Sequence, residues 1–170
     1  MNNNVILAVS SALVGKSIVA FMFNFRGVGG SQGNYGDGIA EQEDVTAAVS
    51  WLISQPAVDS NKVGLLGYSF GAAVALPVAC TDERVRAVAL ISMPPGSAQL
   101  SQLRGCLKSK LLLCGADDFV VPLDQAKLMN QEAAEPKQLE LVTGADHLWL
   151  GYEAVLSEKV VAFFDGKFKF

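Results

Sequence analysis

Short apolar runs alternate along this chain with longer stretches in which apolar residues return every three or four positions. The runs at 87–91 and 111–113 contain no polar residue, the signature of strands buried on both faces of a sheet. Together with neighbouring signals they predict strands at 18–25, 62–67, 85–92, 110–114 and 138–142. The amphipathic stretches between them predict helices at 38–54, 70–79, 98–107, 123–132 and 152–164. Strand and helix alternate, so the expected fold class is α/β: a three-layer sandwich with a mostly parallel sheet of about five strands and helices on both faces. Pro77 lies inside the second predicted helix and implies a kink or a shortened end there.

Chemistry enters at Leu66-Gly67-Tyr68-Ser69-Phe70-Gly71-Ala72, where a serine stands between two glycines. An apolar run precedes it and a small-residue run follows, so the context reads strand, tight turn, helix. Such a turn holds a serine in a strained conformation with its hydroxyl exposed above the sheet, a nucleophile elbow. Glycines two residues before and two after are expected to leave room for the turn.

A serine hydroxyl is a weak nucleophile until a base takes its proton and a carboxylate orients that base. The chain has one histidine, His147, placed just after the alternating run 138–142, where a strand ends and a loop begins. The acid is expected between serine and histidine at a strand end, and Gly115-Ala116-Asp117-Asp118-Phe119-Val120-Val121-Pro122 supplies two adjacent candidates. Both aspartates also fit plain turn and cap roles before the next helix. Asp118 is favoured over Asp117, because G-x-x-D-x-x-V-P is the recurrent form of this loop in the family the chain resembles.

That family is the α/β-hydrolase superfamily, in its small lidless branch of dienelactone-hydrolase-like and esterase proteins. The order serine, acid, histidine is the family's order. Phe23-Asn24-Phe25-Arg26-Gly27-Val28-Gly29-Gly30-Ser31-Gln32-Gly33 is similar to the R-G-x-G-x-S-x-G loop after its fourth strand. The matching segments run from about Val19 to His147. The resemblance implies a minimal α/β-hydrolase fold, Ser69 as nucleophile, His147 as base, Asp118 as orienting acid, and the Phe70 amide as an oxyanion donor.

The resemblance also exposes a missing piece. Family members carry a third strand, followed by an H-G-G type loop whose amide is the second oxyanion donor, and nothing here matches either. Loss of one such donor costs about 10²- to 10³-fold in rate. Asn2, Asn3 or Asn4, or a partner chain, is the candidate replacement; otherwise catalysis is slow. The third strand lies inside the family sheet, between the fourth and fifth. Three repairs are open: direct pairing of 18–25 with 62–67, pairing of 4–9 as a strand, or dimerisation across the exposed edge.

Length and composition, 170 residues with 51% hydrophobic and 18% charged, suit a single domain over 1–170 with no lid domain. A net charge of −4 gives no basic face, so neither nucleic acid nor an anionic membrane is an expected partner. Cys80, Cys106 and Cys114 have no metal-type spacing and read as reduced core residues of a cytoplasmic protein. The apolar run 5–14 lacks a charged leader and is too short to span a membrane.

The expected reaction is acyl transfer from a short-chain carboxylic ester or thioester, with no metal and no cofactor, since Gly27-Val28-Gly29-Gly30 does not fit a dinucleotide loop. The 14 residues from Met93 to Cys106 replace any lid, which predicts an open site walled by Phe70, Met93, Phe119, Leu148 and Trp149. Two other readings stand beside this one. The fold could persist as a catalytically inactive binding protein, or the activity could be that of a peptidase or a haloalkane-type hydrolase on the same fold.

Overall fold

The computed structural model describes residues 3–169. Its elements run α1 (Asn4–Val14), α2 (Glu41–Ile53), β1 (Val63–Tyr68), α3 (Phe70–Thr81), β2 (Val85–Ile91), α4 (Ser97–Gly105), β3 (Ser109–Gly115), α5 (Leu123–Glu132), β4 (Lys137–Val142) and α6 (Glu153–Phe168). The four strands form one parallel sheet in the order β1-β2-β3-β4. Each is followed by a helix, as parallel crossovers require.

Successive side chains on a strand point to opposite faces, and here both faces are covered. Ala87, Ala89, Ile91, Leu111 and Leu113 pack against α1 and α6, while Val88, Leu90, Leu112 and Cys114 pack against α3, α4 and α5. The apolar stripe of α1, Val5, Val9 and Leu13, recurs every fourth residue and is fully turned to that core. Asn3 starts this helix by accepting the Ile6 amide at 3.1 Å. Pro77 does not shorten α3, which runs through it to Thr81, whose hydroxyl bonds the Pro77 carbonyl at 2.9 Å.

The strand count differs from expectation in one place, and the reason is physical. Residues 18–25 have no regular secondary structure and are not a strand, because no neighbour bonds them: none of the amide N–H groups of 19–25 meets an acceptor among the described residues. Direct pairing with β1 is absent too, and β1 bonds only β2. The alternative of a strand at 4–9 is also overturned, since those residues belong to α1. Between 18–25 and β1 lies an apolar cleft of about 860 Å³.

Residues 26–38 follow as an irregular loop tied down from α2. Asp44 accepts the Arg26 amide at 2.9 Å and its guanidinium at 2.8 Å, and Glu41 accepts the Gly36 and Gly38 amides at 2.7 and 2.9 Å.

Candidate active site

The carboxyl ends of parallel strands are where such sheets gather their loops, and three of those loops carry the candidate residues. Ser69 follows β1 directly. Its amide donates to the Ile91 carbonyl at 2.8 Å, so it is held by the last rung of the β1–β2 ladder while the chain turns into α3. The turn forces φ 52°, ψ −119° on a residue with a side chain, a strained conformation for anything but glycine. Gly67 is what permits the close approach: a Cβ there would stand 2.3 Å from the Gly71 carbonyl oxygen and 2.5 Å from the Ala72 amide. The second glycine is not needed sterically. A Cβ on Gly71 would meet only the Phe25 ring at 3.9 Å, which corrects the expectation that both glycines make room.

His147 sits in the loop after β4, 7% exposed, with its Nε2 3.0 Å from Ser69 Oγ. Asp118 sits in the loop after β3, 4% exposed, with both carboxylate oxygens 3.0 Å from His147 Nδ1. The Val120 and Val121 amides each donate to Asp118 Oδ1 at 2.8 Å, so the carboxylate is fixed before it meets the imidazole. Asp117 is exposed and points elsewhere; its amide donates to the Ala145 carbonyl at 3.0 Å, binding the two loops together. Gly115 lets those loops touch, since a Cβ there would lie 2.2 Å from the Ala145 carbonyl oxygen.

Two residues that sequence reasoning missed hold the imidazole loop. The Tyr68 hydroxyl donates to the His147 carbonyl at 2.7 Å, and its ring lies 5.5 Å from the imidazole. Burial and the Asp118 and Asp146 carboxylates push the Tyr68 hydroxyl's pKa up, so it stays a donor. Asp146 accepts the Leu148 and Trp149 amides at 2.8 and 3.1 Å, closing a turn around His147. The Asp-His pair offered a faint signal of that turn; Tyr68 offered only its place beside the serine.

The expected pocket walls divide. Phe70, Phe119 and Leu148 are exposed near the three residues, with the Phe119 ring 5.9 Å from the imidazole and Phe70 packed against Phe25 and Tyr35. Met93 and Trp149 are not walls. Both are buried in the core, and Trp149 donates its indole N–H to Ser92 Oγ at 3.0 Å.

The Phe70 amide opens α3 and meets no acceptor among the described residues, leaving it free at the positive end of the helix. The proposed asparagine replacements do not join it. Asn3 caps α1, and Asn4 donates to the Leu148 carbonyl and Glu153, while Asn2 lies outside the described residues.

A parallel sheet whose strand ends carry serine, acid and histidine in that chain order is the framework of the α/β serine hydrolases. Within that class the chain belongs to the family described as X-Pro dipeptidyl-peptidase (S15 family), which matches residues 11–158. It is 33% identical over 158 residues to the uncharacterized protein RP471 of Rickettsia prowazekii, covering 88% of this chain. A solved alpha-beta serine hydrolase homologue from Coxiella burnetii superposes with a TM-score of 0.86 at 32% identity, covering 95% of this chain and 76% of that one. XC6422 from Xanthomonas campestris, a serine hydrolase without lid, does so at 0.85 and 26%, covering 98% and 74%. The chain spans 66% of the length of the Rickettsia relative and 55% of a Mycobacterium tuberculosis one. No described helix is long and apolar enough to cross a membrane.

Proposed function

We propose that the chain hydrolyses short-chain carboxylic esters through an acyl-enzyme on Ser69. The observation that carries this reading is the unbroken line Ser69 Oγ, His147 Nε2, His147 Nδ1, Asp118, with 3.0 Å at each junction. Ser69 attacks the ester carbonyl while His147 Nε2 takes its proton; Asp118 holds the Nδ1–H tautomer and stabilises the imidazolium. The proton passes to the leaving alkoxide, and water then releases the acid by the same route. The Phe70 amide receives the oxyanion at both steps.

Esters are favoured over the X-Pro peptides in the family's description because an alkoxide leaves more readily than an amine, and so asks less of the Phe70 amide, the oxyanion donor found among the described residues. Loss of a donor lowers rates about 10²- to 10³-fold, which an activated ester tolerates better. The exposed rim of Phe119 and Leu148 suits small acyl groups that solvent can reach. The test is hydrolysis of p-nitrophenyl acetate and butyrate beside an X-Pro p-nitroanilide, with Ser69→Ala and His147→Ala as controls. Ester turnover abolished by both substitutions is expected. Turnover equal to that of Ser69→Ala overturns the reading, and the protein is then an inactive member of its fold.

A further inference from the structure

Two cysteines that the proposed reaction does not use meet on the face of the sheet that α3 and α4 cover. Cys80 lies half-buried in the last turn of α3, and Cys106 lies buried just past the end of α4. The two helices pack on one another, and Lys108 Nζ reaches the Asp82 carbonyl at 3.5 Å, tying the segment after α4 to the end of α3. Both cysteines are free thiols; that of Cys80 donates to the Cys106 sulfur, which also accepts the Lys108 amide. Beside them stands Lys110, 1% exposed, whose charge is costly to bury without a counter-charge. Its Nζ donates to the Ala134 and Pro136 carbonyls at 2.7 and 3.2 Å and pairs with no carboxylate among the described residues. The anionic charge that acts on it most strongly is that of the two sulfurs, ahead of the exposed Glu135.

We propose that Cys80 and Cys106 are a redox pair, oxidised by a small hydroperoxide to a disulfide that links the end of α3 to the segment after α4. Thiols that only filled core volume would need no cation beside them. Here the hydrogen bond from Cys80, the Lys108 amide and the Lys110 and Lys108 charges hold the Cys106 thiol below its usual range against its burial, while the same bond and burial push the Cys80 thiol up. The pair therefore shares one proton readily, the state in which sulfur is nucleophilic. Cys114 shows the contrast: buried in β3, its thiol is pushed up to about 12 by desolvation. The two sulfurs already touch and have only to close to about 2.05 Å, and Cys106 lies outside its helix, where the backbone gives more easily.

Exposure sets the order of events. Cys80 is the sulfur that a peroxide reaches from solvent. It attacks one peroxide oxygen as its proton crosses to Cys106; the O–O bond breaks and hydroxide leaves, giving a sulfenic acid on Cys80. The Cys106 sulfur then attacks the sulfenic sulfur, the S–S bond forms, and the sulfenic oxygen departs as water with the Cys106 proton. The two sulfurs give up one electron pair and the peroxide takes it. A dithiol reverses the step by thiol–disulfide exchange.

The experiment treats the fully reduced, folded chain with a small excess of hydrogen peroxide, blocks remaining thiols with a maleimide in denaturant, and maps disulfides by mass spectrometry. The wild type is expected to lose two of its three thiols, to form the Cys80–Cys106 bond within one chain, and to regain both thiols in dithiothreitol. The bond is expected to form about tenfold or more faster than in the same chain unfolded in urea, where the contact and the lysines are lost. Cys114→Ser should behave as wild type, and neither Cys80→Ser nor Cys106→Ser should form a disulfide within the chain. A folded wild type that keeps all three thiols through an exposure that oxidises a free cysteine peptide overturns the proposal. So does a disulfide through Cys114, one between two chains, or a Cys80–Cys106 bond formed no faster than in urea. Ester turnover enters none of these outcomes, so the pair stands or falls apart from the ester hydrolase reading.

Discussion

Asp118→Asn isolates one hydrogen bond's direction from everything else at the site. The Val120 and Val121 amides both donate to Oδ1, so an asparagine must keep its carbonyl oxygen there. Its NH₂ then falls at the Oδ2 position, 3.0 Å from His147 Nδ1, and donates to that nitrogen in competition with the carbonyl oxygen at Oδ1, which stands equally close as an acceptor. Where the NH₂ prevails, the imidazole proton moves to Nε2, which faces Ser69 Oγ as a donor and can no longer take the serine proton. Loss of the correct tautomer and of the charge opposite the imidazolium lowers kcat about 10⁴-fold, roughly 5.5 kcal/mol of barrier. The fold should persist, because both backbone bonds are kept, and the melting temperature should move by only a few degrees. The assay is p-nitrophenyl butyrate turnover beside a thermal melt, with Asp117→Asn as the matched neighbour. Asp117 is exposed and uses only its backbone toward the site, so its variant should stay within about twofold of wild type. An Asp118→Asn protein that keeps a tenth of the activity, or an Asp117→Asn protein that loses it, would refute the assignment.

Tyr68→Phe removes the donor to the His147 carbonyl while keeping the ring; a net loss of about 1 kcal/mol predicts a five- to tenfold fall in kcat with KM unchanged, read from steady-state kinetics. Gly67→Ala should yield no folded, active protein, whereas Gly71→Ala should fold and retain turnover, a contrast read by circular dichroism and ester hydrolysis. Trp149→Phe leaves the buried Ser92 hydroxyl without its partner and should lower stability by about 1 to 3 kcal/mol in urea titrations. The Gly36 and Gly38 amides hold the Glu41 carboxyl below the usual carboxylate range. Its contribution is therefore present above the unfolded value of about 4.3 and is lost as pH falls through the lower folded one. The stability gap between wild type and Glu41→Gln, measured by urea titration, should accordingly close as the pH is taken from 7 to below 4.

What the sequence discloses depends on whether a signal is local or needs a partner. The Gly67–Gly71 motif is legible because the turn's backbone strain is set within five residues, and its strained serine stands where the motif puts it. The runs at 87–91 and 111–113 are legible because burial on both faces requires unbroken apolar sequence. Residues 18–25 carry an equally apolar pattern and still form no strand. A strand is a property of a hydrogen-bonded pair, and nothing described pairs with them. The same limit hid the site's second layer. Met93 and Trp149 are apolar residues beside active loops, and residue type does not say which way each side chain turns. Tyr68 acts on His147 across 79 positions of sequence, a contact fixed only when β1 and the loop after β4 are placed on one sheet. The resemblance supplied the candidate residues and their order, while geometry separated Asp118 from Asp117 and turned two expected walls, Met93 and Trp149, into the core.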